Sequence, residues 1–420
     1  MYQIYLLMIL VIISFFGNCK DTKDKKFLLL GAVAAANSSG GTVATPTFSP
    51  AEGTYSNTPL HLTISTTTSG ANIYFSTDGN NPTTSSNLYS TAVHIWFLAG
   101  KTVKAFATKA GFIDSAVATL PGVFSYPPLK TGQTNSYSTT GSDGDLQKGV
   151  ARSYTDNGDG TVTDNATGLV WQKCSRGQNN DTTCSGTATL ANWINAGSYC
   201  SSLSLAGKTW RLPSRQELET LLNYSQFYPT IDTTIFPSTG TFYWSSTKNG
   251  TYNAWRVNFS HGDVIPHNKA NNLYVRCVSG QSKDYSSNFT DNGDGTVTDK
   301  ATGLVWQKCS RGQNNDATCT GTATTSNWST AVSDCNSLTL AGKTWRLPNL
   351  NELRFIVDRT KATGQAIDTS IFPATVSDRY WSSTTYATST TNAWFILFGD
   401  GAVDSFLKSD SHYVRCVSGT

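Results

Sequence analysis

The chain has 420 residues, enough for about three domains, and its 31 basic against 28 acidic residues leave a net charge of +3. That near balance excludes the basic footprint of a nucleic-acid-binding protein. Only 14% of residues are charged, and there are 35 Gly, 11 Trp and 18 Tyr, which point to an exported protein of strands and loops rather than long helices.

Residues 2–16, YQIYLLMILVIISFF, form an apolar run of signal-peptide length, short for a membrane span. The run leads into Phe16-Gly17-Asn18-Cys19, which resembles a relaxed bacterial lipobox. The resemblance implies cleavage after residue 18, lipidation of Cys19 and attachment to the membrane through that lipid. Lys20 stands where inner-membrane retention would place Asp, so the expected destination is the outer membrane, with surface exposure as an option. Residues 20–45 hold a charged patch, a short apolar run and a Ser/Gly tract, and read as a tether.

Residues 46–120 change character. Strand-like alternation appears around Leu60–Ile64, Ile73–Phe75 and Val103–Ala107, with turn signals between. Many short strands with regular turns predict a β-sandwich. The residues Pro46-Thr47-Phe48-Ser49-Pro50, Gly53-Thr54-Tyr55, Ile73-Tyr74-Phe75-Ser76-Thr77-Asp78-Gly79, Pro82-Thr83 and Val103-Lys104-Ala105 resemble the Ig-like domain at the C-terminus of chitobiases and β-hexosaminidases. In that family the domain is an accessory to catalysis, so the resemblance implies surface architecture rather than glycosidase activity. Residues 121–152 are polar, carry Pro127-Pro128 and Ser/Thr/Gly runs, and read as an interdomain linker.

The rest of the chain is one module written twice, over 153–280 and 284–420. Residues 155–189 and 290–324 are identical at 32 of 35 positions, and Trp210/Trp345, Trp244/Trp381, Trp255/Trp394 and Cys277/Cys416 keep matching beyond them. A unit this long is a domain with its own core, not a solenoid repeat. In each copy the Asn-Gly and Asp-Gly turns predict hairpins, followed by a helix from Asn192 toward Cys200 and a second opening at Trp210–Leu218. Ser214 and Glu217 have capping-box spacing, matched by Asn349 and Glu352. Strands follow at Phe242–Thr247 and Ala254–Phe259, and Tyr274–Val278 closes the module.

Nine cysteines divide into Cys19 and two sets of four. An even set per module predicts disulfides formed in an oxidising compartment. Four cysteines allow three connectivities, and the expected one pairs Cys174 with Cys184 and Cys200 with Cys277, then Cys309 with Cys319 and Cys335 with Cys416. No CxxC pair or His at ligand spacing supports zinc.

The signatures DNGDGTVTD-x-ATGLVWQK, WRLP-x-x-x-EL, YWSST and VRCV, present in both copies, resemble the Lcl C-terminal domain family. The resemblance implies an α+β, C-type-lectin-like fold, and the adhesin that gives the family its name binds sulphated glycosaminoglycans. The expected architecture is therefore a multidomain chain with an Ig-like β-sandwich followed by two α+β C-type-lectin-like domains. Its expected work is non-catalytic binding to glycans or matrix proteins. The rivals are a structural envelope role, or an enzyme on the formylglycine-generating fold, whose chemistry needs a reactive cysteine pair. Nothing in the sequence sets the oligomeric state.

Site candidates follow from residue chemistry. Asp156, Asp159 and Asp164, with Asp291, Asp294 and Asp299, invite a calcium reading, though their spacing is not that of an EF-hand and hairpin turns use the same residues. No other cofactor is expected. Residues 151–280 carry 10 basic and 8 acidic residues and 284–420 carry 11 and 13. That difference favours the first copy for a sulphated ligand, through Arg256, His267 and Lys269. The matched Trp residues read as core, while Trp96 stands apart.

Overall fold

The computed structural model describes residues 40–50, 61–120, 124–137, 140–282, 288–361 and 364–419. Cys19, the apolar leader and most of the tether lie outside them. Among the described residues no helix is long and apolar enough to cross a membrane.

The first domain holds strands β1 (Thr47–Ser49), β2 (His61–Ser65), β3 (Asn72–Ser76), β4 (Asn87–Leu88), β5 (Val93–His94), β6 (Lys104–Thr108) and β7 (Ala118–Thr119). They form two antiparallel sheets, ordered β1-β2-β5 and β4-β3-β6-β7. The period-two pattern sets the inward face: Leu62 and Ile64 of β2, and Ile73 and Phe75 of β3, are buried and join one hydrophobic cluster. A 3₁₀ turn, Ile95–Leu98, follows β5, and all four of its residues, Trp96 included, are buried.

Residues 124–150 depart from the linker expectation. Phe124, Tyr126, Leu129, Thr131, Gln133, Asp143 and Val150 are buried, and the segment bonds to both modules. The Tyr126 hydroxyl donates to Ala166 O at 2.6 Å, and its N–H donates to Ala301 O at 2.8 Å. Asn351 donates to Leu129 O at 2.9 Å, and Tyr224 N–H donates to Thr131 O. Asp143 opens the short helix α1 (Asp143–Leu146). The stretch is a clasp rather than a spacer. It looked like a linker because its few buried apolar residues, Phe124, Tyr126, Leu129 and Val150, follow no strand or helix period and the rest of its burial runs through hydroxyl, amide and backbone groups.

Each module begins with a four-stranded sheet. In the first copy this holds β8 (Tyr154–Asp156), β9 (Thr161–Asp164), β10 (Val170–Gln172) and the closing strand β14 (Val278–Ser279), ordered β14-β10-β9-β8. In the second it holds β15 (Phe289–Asp291), β16 (Thr296–Asp299), β17 (Val305–Gln307) and β21 (Val417–Ser418), in the matching order. The closing strands are shorter than expected, since Tyr274 and Tyr413 each make a single bridge.

The longer helices α2 (Trp193–Ser202) and α4 (Trp328–Asn336) are capped by Asn192 and Asn327, whose side chains accept from the N–H groups three residues on. The second helices, α3 (Arg215–Glu219) and α5 (Leu350–Leu353), each carry a complete capping box. They start five residues later than the sequence reading placed them, because Trp210–Ser214 and Trp345–Asn349 run outside any helix.

The two modules share a sheet. Strands β11 (Phe242–Asn249), β12 (Asn253–Asn258) and β13 (Val264–Asn268) continue into β20 (Ala402–Leu407), β19 (Asn392–Leu397) and β18 (Arg379–Thr385), in the order β11-β12-β13-β20-β19-β18. The seam is the pair Val264–Val403, and both side chains are fully buried. The fold is thus multidomain and mostly β, with few helices.

Candidate functional site

The disulfides form the four expected bridges, Cys174–Cys184, Cys200–Cys277, Cys309–Cys319 and Cys335–Cys416. The long bridges tie α2 and α4 to the residue before each closing strand. The short ones close ten-residue loops on the surface.

The aspartates of the hairpins are engaged in turns. Asp156 meets Lys173 at 2.6 Å, and that contact holds its carboxyl below the usual range. Asp159 accepts from Thr161 N–H and hydroxyl. Asp164 is buried and accepts from Ala166 N–H and the Thr167 hydroxyl; burial pushes it up to about 6. Asp291 pairs with Lys308 at 2.7 Å. Asp294 accepts from Thr296, and Asp299 from Ala301 and Thr302. These bonds account for the six residues as turn builders. Among the described residues no three His, Cys, Asp or Glu gather as a metal site.

Arg256 and His267 lie on the adjacent strands β12 and β13, and Lys269 directly follows β13. Ala254 pairs with His267 and Arg256 with Ile265, so period-two alternation brings the three to one face of the sheet. Lys269 and His267 have hydrogen-bond partners, whereas Arg256 Nε and Nη1 are buried without one. The Arg256 guanidinium lies over the Phe242 ring at 4.0 Å with Asp263 at 3.6 Å. The Lys269 ammonium donates to Thr251 O at 2.7 Å and lies over Trp193 at 5.1 Å. His267 Nε2 meets Asn271 at 3.0 Å, and burial, then Arg256, hold its pKa below the usual value.

Glu217 and Glu352 are fully buried, close their capping boxes, and take Arg211 and Arg346 at 2.6 Å. Both carboxylates therefore have structural partners on every side. The matched Trp residues are core, except that Trp193 is only half-buried where Trp328 is buried.

A polar concavity that the two copies contrast lies on the second module. A groove of about 540 Å³ opens beside α4, lined by Gln307, Arg311, Gln313, Asn315, Thr324 and Asp334 among others, with Leu338, Val414 and Cys416. The Cys309–Cys319 loop supplies one wall. Of its ten lining residues, nine have an identical counterpart in the first module; the exception is Asp334, matched by Tyr199. In the first module the Tyr199 hydroxyl accepts from Gln172 at 2.9 Å, and Arg176 lies over its ring at 5.5 Å. The aromatic ring occupies the position that Asp334 leaves clear. In the second, Arg311 Nε donates to Asp334 instead, and Gln307 turns to Asn315. Sequence reasoning passed over this site, although aligning the two copies through α2 and α4 exposes the exchange.

Two disulfide-clamped copies of one mostly-β domain behind a smaller β-domain define a tandem-module chain. The chain belongs to the Lcl C-terminal domain family, whose model matches residues 160–279 and again 295–418. The chitobiase/beta-hexosaminidase C-terminal domain matches residues 50–119. No curated protein matches the chain at a significant level.

Proposed function

We propose that this is a non-catalytic binding protein of the bacterial envelope, held by a lipid on Cys19, with an Ig-like stalk and two C-type-lectin-like modules that engage glycans or matrix proteins. The observation that carries the reading is the groove beside α4. Its size lies within the range of small-ligand sites. Amide, hydroxyl and one ion-paired carboxylate line it over an apolar floor, the mix that hydrogen-bonds a sugar's hydroxyls while covering its carbon face. The eight bridged module cysteines also support binding over thiol chemistry. This geometry favours the second copy as the glycan site over the Arg256, His267 and Lys269 face of the first.

Glycan-array retention of Asp334→Tyr tests it. The substitution installs the residue that the first module already carries in the same setting, so the fold is retained and the groove is filled. Retention is expected to fall at least tenfold. Unchanged retention would place the site elsewhere.

A further inference from the structure

A second cavity lies where four segments of the chain meet. It is small, about 40 Å³, room for roughly three waters or one small polyatomic group. Trp96 of the first domain, Pro128 and Leu129 of the clasp, Gln216 and Glu219 of the first module, and Arg354 and Arg359 of the second line it.

The charges around it do not balance. Glu219 takes Arg215 at 2.8 Å on one oxygen, and Arg359 at 3.3 Å and Arg354 at 3.9 Å on the other. Three guanidinium groups thus share one carboxylate, which leaves two positive charges in excess. Burial alone would raise Glu219, but Arg354, Arg215 and Arg359 outweigh it and hold it down at about 2. A further cation, the half-buried Arg152, is spent on carbonyl oxygens of Lys130, Thr220 and Leu222.

Donors are also left over. Arg354 Nε, Arg359 Nε and Gln216 Nε2 are buried without a hydrogen-bond partner, and Arg354 and Gln216 are themselves more than nine-tenths buried. Unmet donors and surplus charge in an apolar surround are costly. An oxyanion relieves both at once, since guanidinium groups match the planar or tetrahedral oxygens of carboxylate, sulfate and phosphate.

We propose that this junction is a binding site for one small oxyanion group, held between Arg354 and Arg359 with the Gln216 amide as a neutral donor. The group is either a free inorganic anion or the acidic terminus of a larger ligand. Because all four segments contribute walls, its occupancy fastens the first domain and the clasp to both modules.

Thermal unfolding of the full chain at fixed ionic strength tests this, with sulfate, phosphate and acetate titrated against chloride. A saturable rise in melting temperature with the oxyanions is expected, with affinity at least tenfold weaker in Arg359→Gln. Gln216→Leu is the companion variant should Arg359→Gln not fold, and it is expected to weaken the same response. A sulphated or uronic disaccharide that saturates at lower concentration than the free ion identifies a ligand terminus, and one that does not identifies the free ion. A response that never saturates, or that is the same in wild type and both variants, would overturn the proposal.

Discussion

The two modules share their framework, and among the places where they differ three bear on contacts with a ligand or a neighbour. They keep the same bridges, the same capping boxes and the same Trp positions. They differ beside the longer helix, where Tyr199 stands in one and Asp334 in the other. They differ on the shared sheet, where the first copy has Arg256 and the second Phe395 at the register position opposite Trp244 and Trp381. They differ too at their mutual contact, where Glu219 meets Arg354. The lesson is that core and clamp are held constant while the surfaces meeting a ligand or a neighbouring module carry the variation.

Breaking the seam is expected to have the largest effect. Val403→Asp puts a carboxylate into the buried pair with Val264, and a loss of about 4 kcal/mol follows from an unpaired buried charge. Chemical denaturation reads the loss.

Removing the long bridge of the second copy with Cys335→Ser and Cys416→Ser is expected to cost roughly 4 kcal/mol in the chain-entropy model, against roughly 2.5 kcal/mol for Cys309→Ser with Cys319→Ser. The short bridge supports a groove wall, so its loss is also expected to weaken glycan retention. The same loss of Cys174–Cys184 in the first copy is expected to leave that retention unchanged.

The clasp sharpens the comparison further. Thr384 of the second module donates to Asp143 at 2.7 Å, and Thr131 donates to the same oxygen at 2.6 Å. Thr384 also accepts from Leu350 N–H, just as the matched Thr247 accepts from Arg215 N–H, so the bond to Asp143 is an addition in the second module. Burial pushes Asp143 up to about 6 despite both hydroxyls. The folded state therefore binds this proton more tightly than the unfolded chain, and stability falls as pH rises from about 4 through 6. Acidification from pH 7 to 5 is expected to raise the melting temperature. Asp143→Asn is expected to remove part of that rise, roughly 1.3 kcal/mol, and Asp164, also pushed up to about 6, accounts for a further part.

The smallest effect on stability and the clearest on binding belongs to the groove. Tyr199→Asp, the reciprocal of the exchange proposed above, is expected to change stability by less than about 1.5 kcal/mol. It is also expected to create a second glycan site in the first module, read as a doubling of stoichiometry in titration calorimetry.

Much of the module was legible in the sequence because duplication made it so. Matched cysteines gave the bridges, matched Ser214–Glu217 and Asn349–Glu352 spacings gave the capping boxes although the helices begin five residues after Trp210 and Trp345, and the Trp pairs marked the core. The clasp was not legible, since Gln133 and Asp143 are buried by hydrogen bonds to Thr385 and Thr384 more than two hundred residues away. Nor was the six-stranded sheet, because β13 and β20 present the same alternation whether their edges meet or not. Arg256 looked available from sequence, but the Phe242 ring and Asp263 beside it are tertiary neighbours. Leader and Cys19 lie outside the described residues.

Glu219 and Arg354 occupy equivalent positions in the two copies and meet across their junction with opposite sign. In a symmetric pair of identical modules this position would face its own image, acid against acid or base against base. The exchange therefore sets an attraction between Glu219 and Arg354 where two identical copies would set like charges. A chain rebuilt with the second copy used twice would bring Arg354 and Arg359 toward their own images without the Glu219 carboxylate that lies between them here.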